Sequence, residues 1–435
     1  MPHVTFVPLS GFRVREEALL ELGMSLPGLA ARGKAIGELP ALGLLTLAGM
    51  LPAGWTCSYR PAVRCDEGLA DSIADEQPAL VAISALTASI EEAYALCRGL
   101  RLRGIRTVLG GLHATACAEE AARHADAVVV GSGEAVWRDV LKGAAAGNLQ
   151  PQYRPGHQPL GERWPLPRFD LLGRSPPRFT LQTARGCPLA CDFCGASRLL
   201  GSFREKPTDA IRRELAALQG LDPRPLVELA DDNTFAGRRD APELLAALAD
   251  GGIRYFTECD WRIGERHEIL ANLADSGCVQ VLVGIESLVF RYPGMGAKQA
   301  ELARVMEAVQ RIQEAGVAVN GCFIVGADGE TRESLDRLAA FLLDSPFAEV
   351  QLTLQTPFPG TALHRRLSRE GRLLAERGWP YYTLFDVTYR PDRLTVVELE
   401  AAFRLLLGIV FSREQTARRS AIRKRILRSR AEALA

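Results

Sequence analysis

Three cysteines lie close together in the stretch TARGCPLACDFCGAS, residues 183–197, with the spacing C-x3-C-x2-C. The thiolates of Cys187, Cys191 and Cys194 are soft ligands of the kind that hold zinc or iron–sulfur clusters. A closed zinc site needs four ligands, yet no second cysteine pair follows, and the nearest histidine in the sequence, His157, lies well upstream. Three cysteines on a four-iron cluster leave one iron open to a substrate. The spacing therefore favours an iron–sulfur cluster, with zinc and a redox disulfide as the alternatives.

The chain around and after the cysteines alternates between strand-like and helix-like patterns. Six β-rich runs follow residue 178: FTLQTA, LVELAD, YFTECD, VQVLVGIES, VAVNGCFIVG and EVQLTLQT. Amphipathic helices are predicted between them, near residues 208–219, 241–250, 265–275, 299–315 and 331–344. Eight β/α units close a standard barrel, so six predict a partial barrel over residues 179–370. The cysteines follow the first strand and are therefore expected on the active face, at the carboxyl ends of the strands.

Polar residues end three of the later strands on that same face. LADDNTF ends the second strand, TECDW the third and VGIES the fourth. The alternative for each acidic residue alone is a helix N-cap or a surface salt bridge. Their shared position at strand ends favours a binding role, and the candidates are Asp231, Asp232, Asn233, Glu258, Asp260, Gly284, Glu286 and Ser287.

The first half of the chain carries a similar alternation. The strands are HVTFVPL, WTCSYR, ALVAISALT, TVLGGL and AVVVGSG, and LPALGLLTLAGML and SIEEAYALCRGLRLRG are helices between them. The predicted class is α/β, with a Rossmann-like doubly wound parallel sheet over residues 1–150 and a Pro- and Gly-rich linker over 151–178. Beyond the partial barrel, residues 371–435 are predicted to form a helical region with a basic tail.

Composition narrows the class of protein. The 435 residues include 52 basic and 52 acidic side chains, so the formal net charge is zero. This balance argues against a protein that binds nucleic acid over its whole surface. The sequence shows neither a signal-peptide pattern nor an apolar run long enough to span a membrane. Because most of the ten cysteines are isolated, no disulfide framework is expected, and a cytoplasmic location is predicted.

The cysteine motif resembles that of the radical S-adenosylmethionine (radical SAM) superfamily, in which an aromatic residue precedes the last cysteine, here Phe193. The resemblance implies a [4Fe–4S] cluster on the three cysteines and SAM as a second cofactor, chelated to the open iron. It also implies that one electron from the cluster cleaves SAM to a 5′-deoxyadenosyl radical. The segment VGIES looks like the family segment that holds the adenosyl part of SAM.

The first half is similar to cobalamin-binding Rossmann domains. These domains carry a D-x-H-x-x-G loop, then S-x-L after a strand, then G-G after the next strand. The first piece is missing here, but ISALT supplies Ser84 and Leu86, and VLGGLHAT supplies Gly110 and Gly111. GSGEAVW, with Gly131, Gly133 and Glu134, resembles the last glycine turn of that family. Small residues at strand ends allow the close backbone approach that an inserted nucleotide tail needs.

Together the two resemblances imply a cobalamin-dependent radical SAM C-methyltransferase that abstracts hydrogen from an unactivated carbon. The implied partners are a small-molecule or lipid-like substrate and an external one-electron reductant of the flavodoxin or ferredoxin type. One alternative is a radical SAM cyclase or oxidoreductase with a silent or absent cobalamin site. Others are a methylthiotransferase, whose extra cysteine triplet and RNA-binding barrel are not visible in the sequence, and a non-catalytic iron–sulfur electron-transfer protein.

Three further features are interpreted without a catalytic role. Residues 11–38 interrupt the first crossover as a flap or a surface hairpin. His113, beside the glycine pair, is either a ligand or a loop histidine that caps a helix or faces solvent, and the loop histidine is the favoured interpretation. The basic tail is expected to be a solvated terminal helix, with binding to acidic lipid or nucleic acid as the alternative. Its cations are Arg418, Arg419, Arg423, Lys424, Arg425, Arg428 and Arg430.

Overall fold

The computed structural model describes residues 1–9, 13–16, 19, 40–62, 64–155, 164–173, 176, 178–195, 199 and 201–433. Most of the predicted insertion 11–38 and residues 156–163 of the predicted linker, including His157, lie outside the described residues. Within the described part of the chain, no helix combines the length and the apolar character that crossing a bilayer requires.

The first half forms a parallel sheet, as the sequence predicts, with six strands where five were expected. Its strands are β1 (His3–Leu9), β2 (Thr56–Tyr59), β3 (Leu80–Ala85), β4 (Thr107–Gly110), β5 (Ala127–Val129) and β6 (Gln152–Tyr153). The spatial order is β2-β1-β3-β4-β5-β6, so the chain reverses direction across the sheet between β1 and β3. Ligands of doubly wound sheets bind at the carboxyl ends of strands near such a reversal. The last strand, β6, was not predicted and begins just beyond the expected domain end at residue 150.

Helices cover both faces of this sheet and account for its continuous apolar strands. They are α1 (Leu42–Gly49), α2 (Glu67–Asp75), α3 (Ile90–Leu102), α4 (Leu112–Ala116), α5 (Ala118–Ala121) and α6 (Trp137–Ala146). In α3 the buried residues recur every three or four positions, at Ile90, Ala93, Tyr94, Cys97 and Leu100. This period places one apolar stripe of the helix against the sheet.

The second half forms another six-stranded parallel sheet, in the order β14-β13-β12-β11-β10-β7. The strands are β7 (Phe179–Leu181), β10 (Leu226–Leu229), β11 (Arg254–Cys259), β12 (Cys278–Glu286), β13 (Ala318–Val325) and β14 (Glu349–Leu354). A short antiparallel pair, β8 (Ala184–Arg185) with β9 (Arg204–Glu205), lies beside β7 in the chain. The sequential order and parallel pairing confirm the predicted partial barrel.

Helices alternate with these strands and enclose one continuous apolar core. They are α7 (Thr208–Gln219), α8 (Ala241–Asp250), α9 (His267–Leu273), α10 (Leu302–Glu314) and α11 (Arg332–Asp344). Three more helices complete the chain: α12 (Ala362–Arg369), α13 (Val396–Val410) and α14 (Arg413–Ala433). The buried side of α13, including Leu399, Phe403 and Leu406, joins the barrel core.

One face of the basic helix α14 packs on the barrel, whereas Lys424, Arg425 and Arg428 are exposed, so the expectation of a solvated helix holds for only part of it. Ile422 and Ile426 pack against residues of β13 and the start of β14. Arg423 lies 2.6 Å from the carboxylate of Glu349, and Arg419 donates to the carbonyl of Val410 at 2.7 Å. The sequence pattern missed this contact because long arginine side chains can cover apolar surface while their charged ends find oxygen acceptors.

Candidate active site at the cysteine loop and the domain interface

The cysteine loop follows β7 and β8 and is held by backbone hydrogen bonds from two directions. Ala190 N–H donates to the carbonyl of Gly294 at 3.1 Å, and Asp192 N–H donates to the carbonyl of Pro293 at 3.0 Å. From the other side, the N–H of Leu363 in α12 donates to the carbonyl of Asp192 at 2.9 Å. The loop after β12 and the start of α12 therefore fix the path of the backbone that carries the cysteines.

The thiols of Cys187, Cys191 and Cys194 lie close enough together that, after burial, Cys194 raises the pKa of the other two, but they are not gathered as tightly as the ligands of one metal ion. Among the described residues, these sulfurs do not form a set of ligand atoms that all lie within 4.8 Å of one another. Sulfurs that share one tetrahedral zinc ion lie about 3.8 Å apart at ordinary zinc–sulfur distances. A cluster of iron and sulfide is larger than one ion and holds its cysteine ligands farther apart. The geometry therefore fits the cluster.

Phe193, predicted from its place before the last cysteine, belongs to an aromatic group behind the loop. Its ring lies edge-on to Tyr292, with ring centroids 4.7 Å apart, and Tyr292 makes a similar contact with Phe290 at 4.9 Å. Cys191 and Met295 pack in the same apolar cluster. These side chains shield one side of the cysteine loop from water, which strengthens electrostatic interactions within it.

Asp231 and Asn233, both predicted candidates, position the chain around the cysteines. The carboxylate of Asp231 accepts from the N–H groups of Thr183 and Ala184, at 2.7 and 2.9 Å, and from the hydroxyls of Thr183 and Thr234. Both carboxylate oxygens of Asp231 therefore already accept hydrogen bonds from other residues of the protein. Asn233 pairs with Asp260 at 3.2 Å, and where burial raises the pKa of the Cys187 thiol, Asn233 lowers it.

Asp232 and Glu258 face a cavity of about 210 Å³ at the mouth of the barrel, which Glu228, Phe256 and Leu282 also line. Burial, followed by the charge of the neighbouring Asp231, raises the pKa of Asp232 to about 6. Burial, followed by the charge of Asp232, raises the pKa of Glu258 to about 8. Oδ2 of Asp232 has no hydrogen-bond partner among the described residues. These oxygens can accept hydrogen bonds from a positively charged group bound in the cavity.

Gly284, Glu286 and Ser287 lie at the end of β12, as predicted. Lys298 Nζ lies 2.5 Å from Glu286 Oε1, and both side chains are almost completely buried. Burial opposes the charge of Lys298, but Glu286 outweighs it and raises the pKa of the lysine above its ordinary value. A Cβ at Gly284 would lie 2.2 Å from Glu286 Oε1, so only glycine leaves room for the ion pair. The oxygen of Ser287 accepts from the N–H groups of Val289 and Phe290.

Glu330, which the sequence did not single out, is a buried carboxyl group near the end of β13. Burial raises its pKa to about 7, although the N–H groups of Gly326 and Ala327 donate to it and oppose the rise. The hydroxyl of Tyr389 donates to the carbonyl of Gly326. Glu330 therefore supports the loop after β13, on the same face as the cysteines.

We expect Glu330 to make the protein less stable as pH rises. The folded chain binds this proton more tightly than the unfolded chain, so stability is greatest below the ordinary glutamate pKa and falls until pH passes about 7. The Glu330→Gln variant lacks this loss. Its unfolding free energy relative to wild type should rise by about 2.5 kcal/mol between pH 5 and pH 8, measured by anaerobic urea unfolding. The exposed Glu376→Gln change should show no such pH-dependent difference, and equal slopes for both variants would contradict the assignment.

A second cavity, of about 350 Å³, lies between the two sheets and carries most of the predicted cobalamin residues. Its walls include the strand ends and glycine turns of the first sheet and α1, with the barrel opposite. Six of the predicted residues line it: Ser84, Gly110, Gly111, Gly131, Gly133 and Glu134. The predicted Leu86 does not line it and is 41% exposed, because β3 ends one residue earlier and the chain turns outward.

The cavity fits a cobalamin nucleotide tail by its shape and lining. Gly111 has a φ of +105°, and a Cβ there would lie 3.1 Å from the hydroxyl oxygen of Ser84. The carboxyl ends of β3, β4 and β5 thus stay open next to the reversal of the sheet, where such ligands bind. Apolar side chains such as Leu44 and Leu47 in α1 cover another side.

An ion pair between the domains closes one side of this cavity. Arg185 Nη2, next to the cysteine loop, lies 2.6 Å from Glu134 Oε1 in the last glycine turn of the first domain. Both residues line the cavity, and both are mostly buried. Glu134 was predicted from the glycine turn, whereas Arg185 carries no local signal and was missed.

His113 was expected to cap a helix or to face solvent, and this expectation was wrong. The residue lies within α4, its side chain has no exposed surface, and its ring is edge-on to Trp379 at 4.8 Å. Burial lowers its pKa to about 4, although Glu120 opposes the shift. It does not line the cavity between the domains.

Comparison with known families identifies both halves of the chain. Residues 28–141 match the B12 binding domain, and residues 181–342 match the Radical SAM superfamily. The two matches correspond to the sheet that carries the glycine turns and to the sheet that carries the cysteine loop.

Two curated relatives extend over most of the chain. The bacteriochlorophyllide d C-12(1)-methyltransferase of Chlorobaculum tepidum is 25% identical over 360 residues, which cover 80% of this chain and 76% of the relative. The anaerobic magnesium-protoporphyrin IX monomethyl ester cyclase of Cereibacter sphaeroides is 24% identical over 385 residues, which cover 77% of this chain and 60% of the relative.

A solved structure shares the fold of both domains. The radical S-adenosylmethionine methyltransferase TsrM of Kitasatospora setae, solved with cobalamin and a [4Fe–4S] cluster bound, superimposes with a TM-score of 0.65 at 14% identity. The superposition covers 85% of this chain and 78% of that one. The chain is an enzyme of the radical SAM superfamily, in the class with a B12-binding domain, and its cofactors are a [4Fe–4S] cluster, SAM and cobalamin.

Proposed function

We propose that the enzyme is a cobalamin-dependent C-methyltransferase that acts on an unactivated carbon of a small, largely apolar molecule. The relative with the methyltransferase name supports methyl transfer. The names of two relatives, which act on bacteriochlorophyllide d and on magnesium-protoporphyrin IX monomethyl ester, support a flat and largely apolar substrate. An external one-electron reductant would supply the electron.

One structural observation carries this proposal. Ala230, at the end of β10, borders both the cavity between the domains and the acidic cavity at the mouth of the barrel. A molecule bound beside Ala230 would therefore lie between the predicted cobalamin residues and the predicted SAM residues. Methyl transfer needs both cofactors to reach one carbon atom, and positioning of this kind supplies a large part of catalysis.

Each group of residues would then have a separate task. When bound, the cluster and SAM supply a radical that removes hydrogen, and cobalamin supplies the methyl group. The three cysteines would hold the cluster. Asp232 and Glu258 would accept hydrogen bonds from the amino group of SAM, and the Glu286–Lys298 pair would hold the end of β12 in place. The Arg185–Glu134 pair would hold the two domains together and would exclude water from the cavity between them.

The decisive experiment is an anaerobic incubation with SAM, a chemical reductant and an extract of apolar metabolites. Methyl transfer predicts 5′-deoxyadenosine and S-adenosylhomocysteine in the same tube, together with a product that gains the label of methyl-labelled SAM. The cyclase among the relatives makes a radical reaction without methylation the second candidate. That candidate predicts 5′-deoxyadenosine alone and an unlabelled product.

The cavity between the domains makes its own prediction. In the Gly111→Ala variant a residue with a Cβ must adopt a positive φ, and this Cβ lies 3.1 Å from the hydroxyl oxygen of Ser84. We therefore expect cobalamin to bind about tenfold more weakly, which corresponds to ~1.4 kcal/mol of binding free energy. The measurement is cobalamin absorbance after reconstitution and desalting. Gly104→Ala is the matched control, because Gly104 also has a positive φ and a Cβ there meets nothing within 4 Å. Equal retention by both variants would place cobalamin elsewhere.

A further inference from the structure

A second group of potential metal ligands lies in the first domain, apart from the cysteine loop. His113, Cys117 and Glu120 bring an imidazole nitrogen, a thiol sulfur and a carboxylate oxygen within 4.8 Å of one another. His113 lies in α4, Cys117 joins α4 to α5, and Glu120 lies in α5. Spacings of four and three residues place the three side chains on one side of this helical stretch.

The imidazole ring of His113 lies next to Cys117 and Glu120. Among the described residues, its Nε2 atom has no hydrogen-bond partner. The side chain of His113 is completely buried, and Nε2 lies 3.8 Å from Glu120 Oε1, which is too far for a hydrogen bond. Buried polar atoms in native proteins are nearly always paired, and an unpaired one indicates a missing ion or water.

Outer contacts hold two of the three groups in a geometry suited to metal binding. Nδ1 of His113 lies 3.3 Å from the hydroxyl of Thr87, so this nitrogen can carry the ring proton and leave the lone pair on Nε2. Glu120 Oε1 accepts from the hydroxyl of Tyr94 at 3.0 Å and from the indole N–H of Trp379 at 2.8 Å. Metal ligands typically have such second hydrogen bonds, which fix their orientation.

We propose that His113, Cys117 and Glu120 form a three-ligand zinc site, with a water molecule as the fourth ligand. A sulfur, a nitrogen and an oxygen donor suit zinc, whereas magnesium and calcium select sites made of oxygen alone. Zinc binds the thiolate form of Cys117, and the displaced thiol proton passes to solvent. No electron transfer is involved. The site is independent of the proposed methyl transfer.

The position of the site indicates what the metal does. The ring of Trp379 contacts His113, and its N–H contacts Glu120, so a residue far along the chain closes the site. Helix α4 begins directly after Gly111, which lines the cavity between the domains. A zinc ion here therefore holds three parts of the protein together: the glycine turn, the α4–α5 stretch and the segment around Trp379.

Zinc content of the full-length protein tests the proposal. Protein with its cluster reconstituted anaerobically is treated with a mild chelator, supplied with Zn²⁺ alone and desalted, and its zinc is counted by mass spectrometry. We expect about one zinc ion per wild-type chain and a loss of at least about tenfold in affinity for Cys117→Ser. Cys65→Ser, which changes another half-buried cysteine of the same domain, should keep the zinc. X-ray absorption at the zinc edge should find one sulfur neighbour and three lighter ones.

Each other outcome overturns the site. Two or more sulfur neighbours would place the zinc on the cysteine loop instead, and equal zinc in wild type and Cys117→Ser would place it on other residues. A wild-type chain that holds no zinc would mean that His113 and Glu120 serve packing alone. Serine is nearly the size of cysteine, and circular dichroism with cobalamin retention would verify that the variant is folded. Because the readout is metal content, it is unaffected by whether methyl transfer occurs.

Discussion

The Cys191→Ser variant is expected to lose SAM cleavage, with 5′-deoxyadenosine falling to the level of a reaction without enzyme. Cys191 is one of the three cysteines proposed to hold the cluster, and it is the most buried of them, packed beside Tyr292 and Met295. Serine keeps the size of the side chain but replaces a soft ligand by a hard hydroxyl that binds iron weakly. With only two cysteines left, a second iron corner would lack its protein ligand. Iron and sulfide per chain, measured with 5′-deoxyadenosine, check this expectation.

The matched control for this variant is Cys57→Ser, which changes a half-buried cysteine of β2 in the other domain. It should keep wild-type iron, sulfide and SAM cleavage. A Cys191→Ser protein that retains four irons and cleaves SAM at the wild-type rate would contradict the cluster assignment. Wild-type protein that holds one zinc ion on these cysteines and no sulfide would contradict it as well.

The strands and the cysteine loop could be predicted because each corresponds to a short pattern of residues that are close together in the sequence. Continuous apolar runs such as LVAISA and FIVG identify buried parallel strands, and the chemistry of the site follows from their carboxyl ends. Asp232, Glu258 and Glu286 were found in this way, since each lies at or near a strand end and parallel strands end on one face.

Contacts between distant loops could not be predicted. Lys298 pairs with Glu286 through a loop that carries no repeating pattern, and Arg185 meets Glu134 from a different domain. Asp231 lies beside Asp232 in the sequence, yet the structure uses its oxygens to fix the backbone before the cysteine loop and leaves Asp232 facing the cavity. Two adjacent carboxylates on a strand end point to opposite sides, and the sequence does not say which side is lined by donors.

His113 and the basic helix illustrate a second limit. Each was interpreted from its own residue type, because histidine next to a glycine turn and arginine near a terminus are usually exposed. Both are covered, the helix on one face only, by residues far away in the chain: Trp379 packs on His113, and β13 and β14 pack on α14. Residue type gives the average environment, whereas tertiary packing decides the individual case.

The Gly294→Ala variant is expected to lose most of its cluster although it changes no ligand. Gly294 has a φ of +84° and accepts the hydrogen bond from Ala190 in the cysteine loop. A Cβ at this position would lie 2.0 Å from the carbonyl oxygen of Ala190 and 3.0 Å from the backbone nitrogen of Cys191. The clash is with backbone, so the cysteine loop must move. Groups that orient metal ligands typically change affinity or activity about 10–100-fold, and we expect a loss of iron and of 5′-deoxyadenosine in that range.

Gly296→Ala separates this clash from backbone strain. Gly296 lies two residues further along the same loop, also has a positive φ, and its nearest neighbour for a Cβ is the side chain of Leu189 at 3.9 Å. Both variants therefore carry the ~1–2 kcal/mol cost of a side chain at positive φ, but only Gly294→Ala displaces the cysteines. Iron content should stay near wild type in Gly296→Ala and fall in Gly294→Ala. Equal losses would attribute the effect to strain in the loop, whereas unchanged iron in both would mean that the cysteine loop tolerates displacement of Ala190.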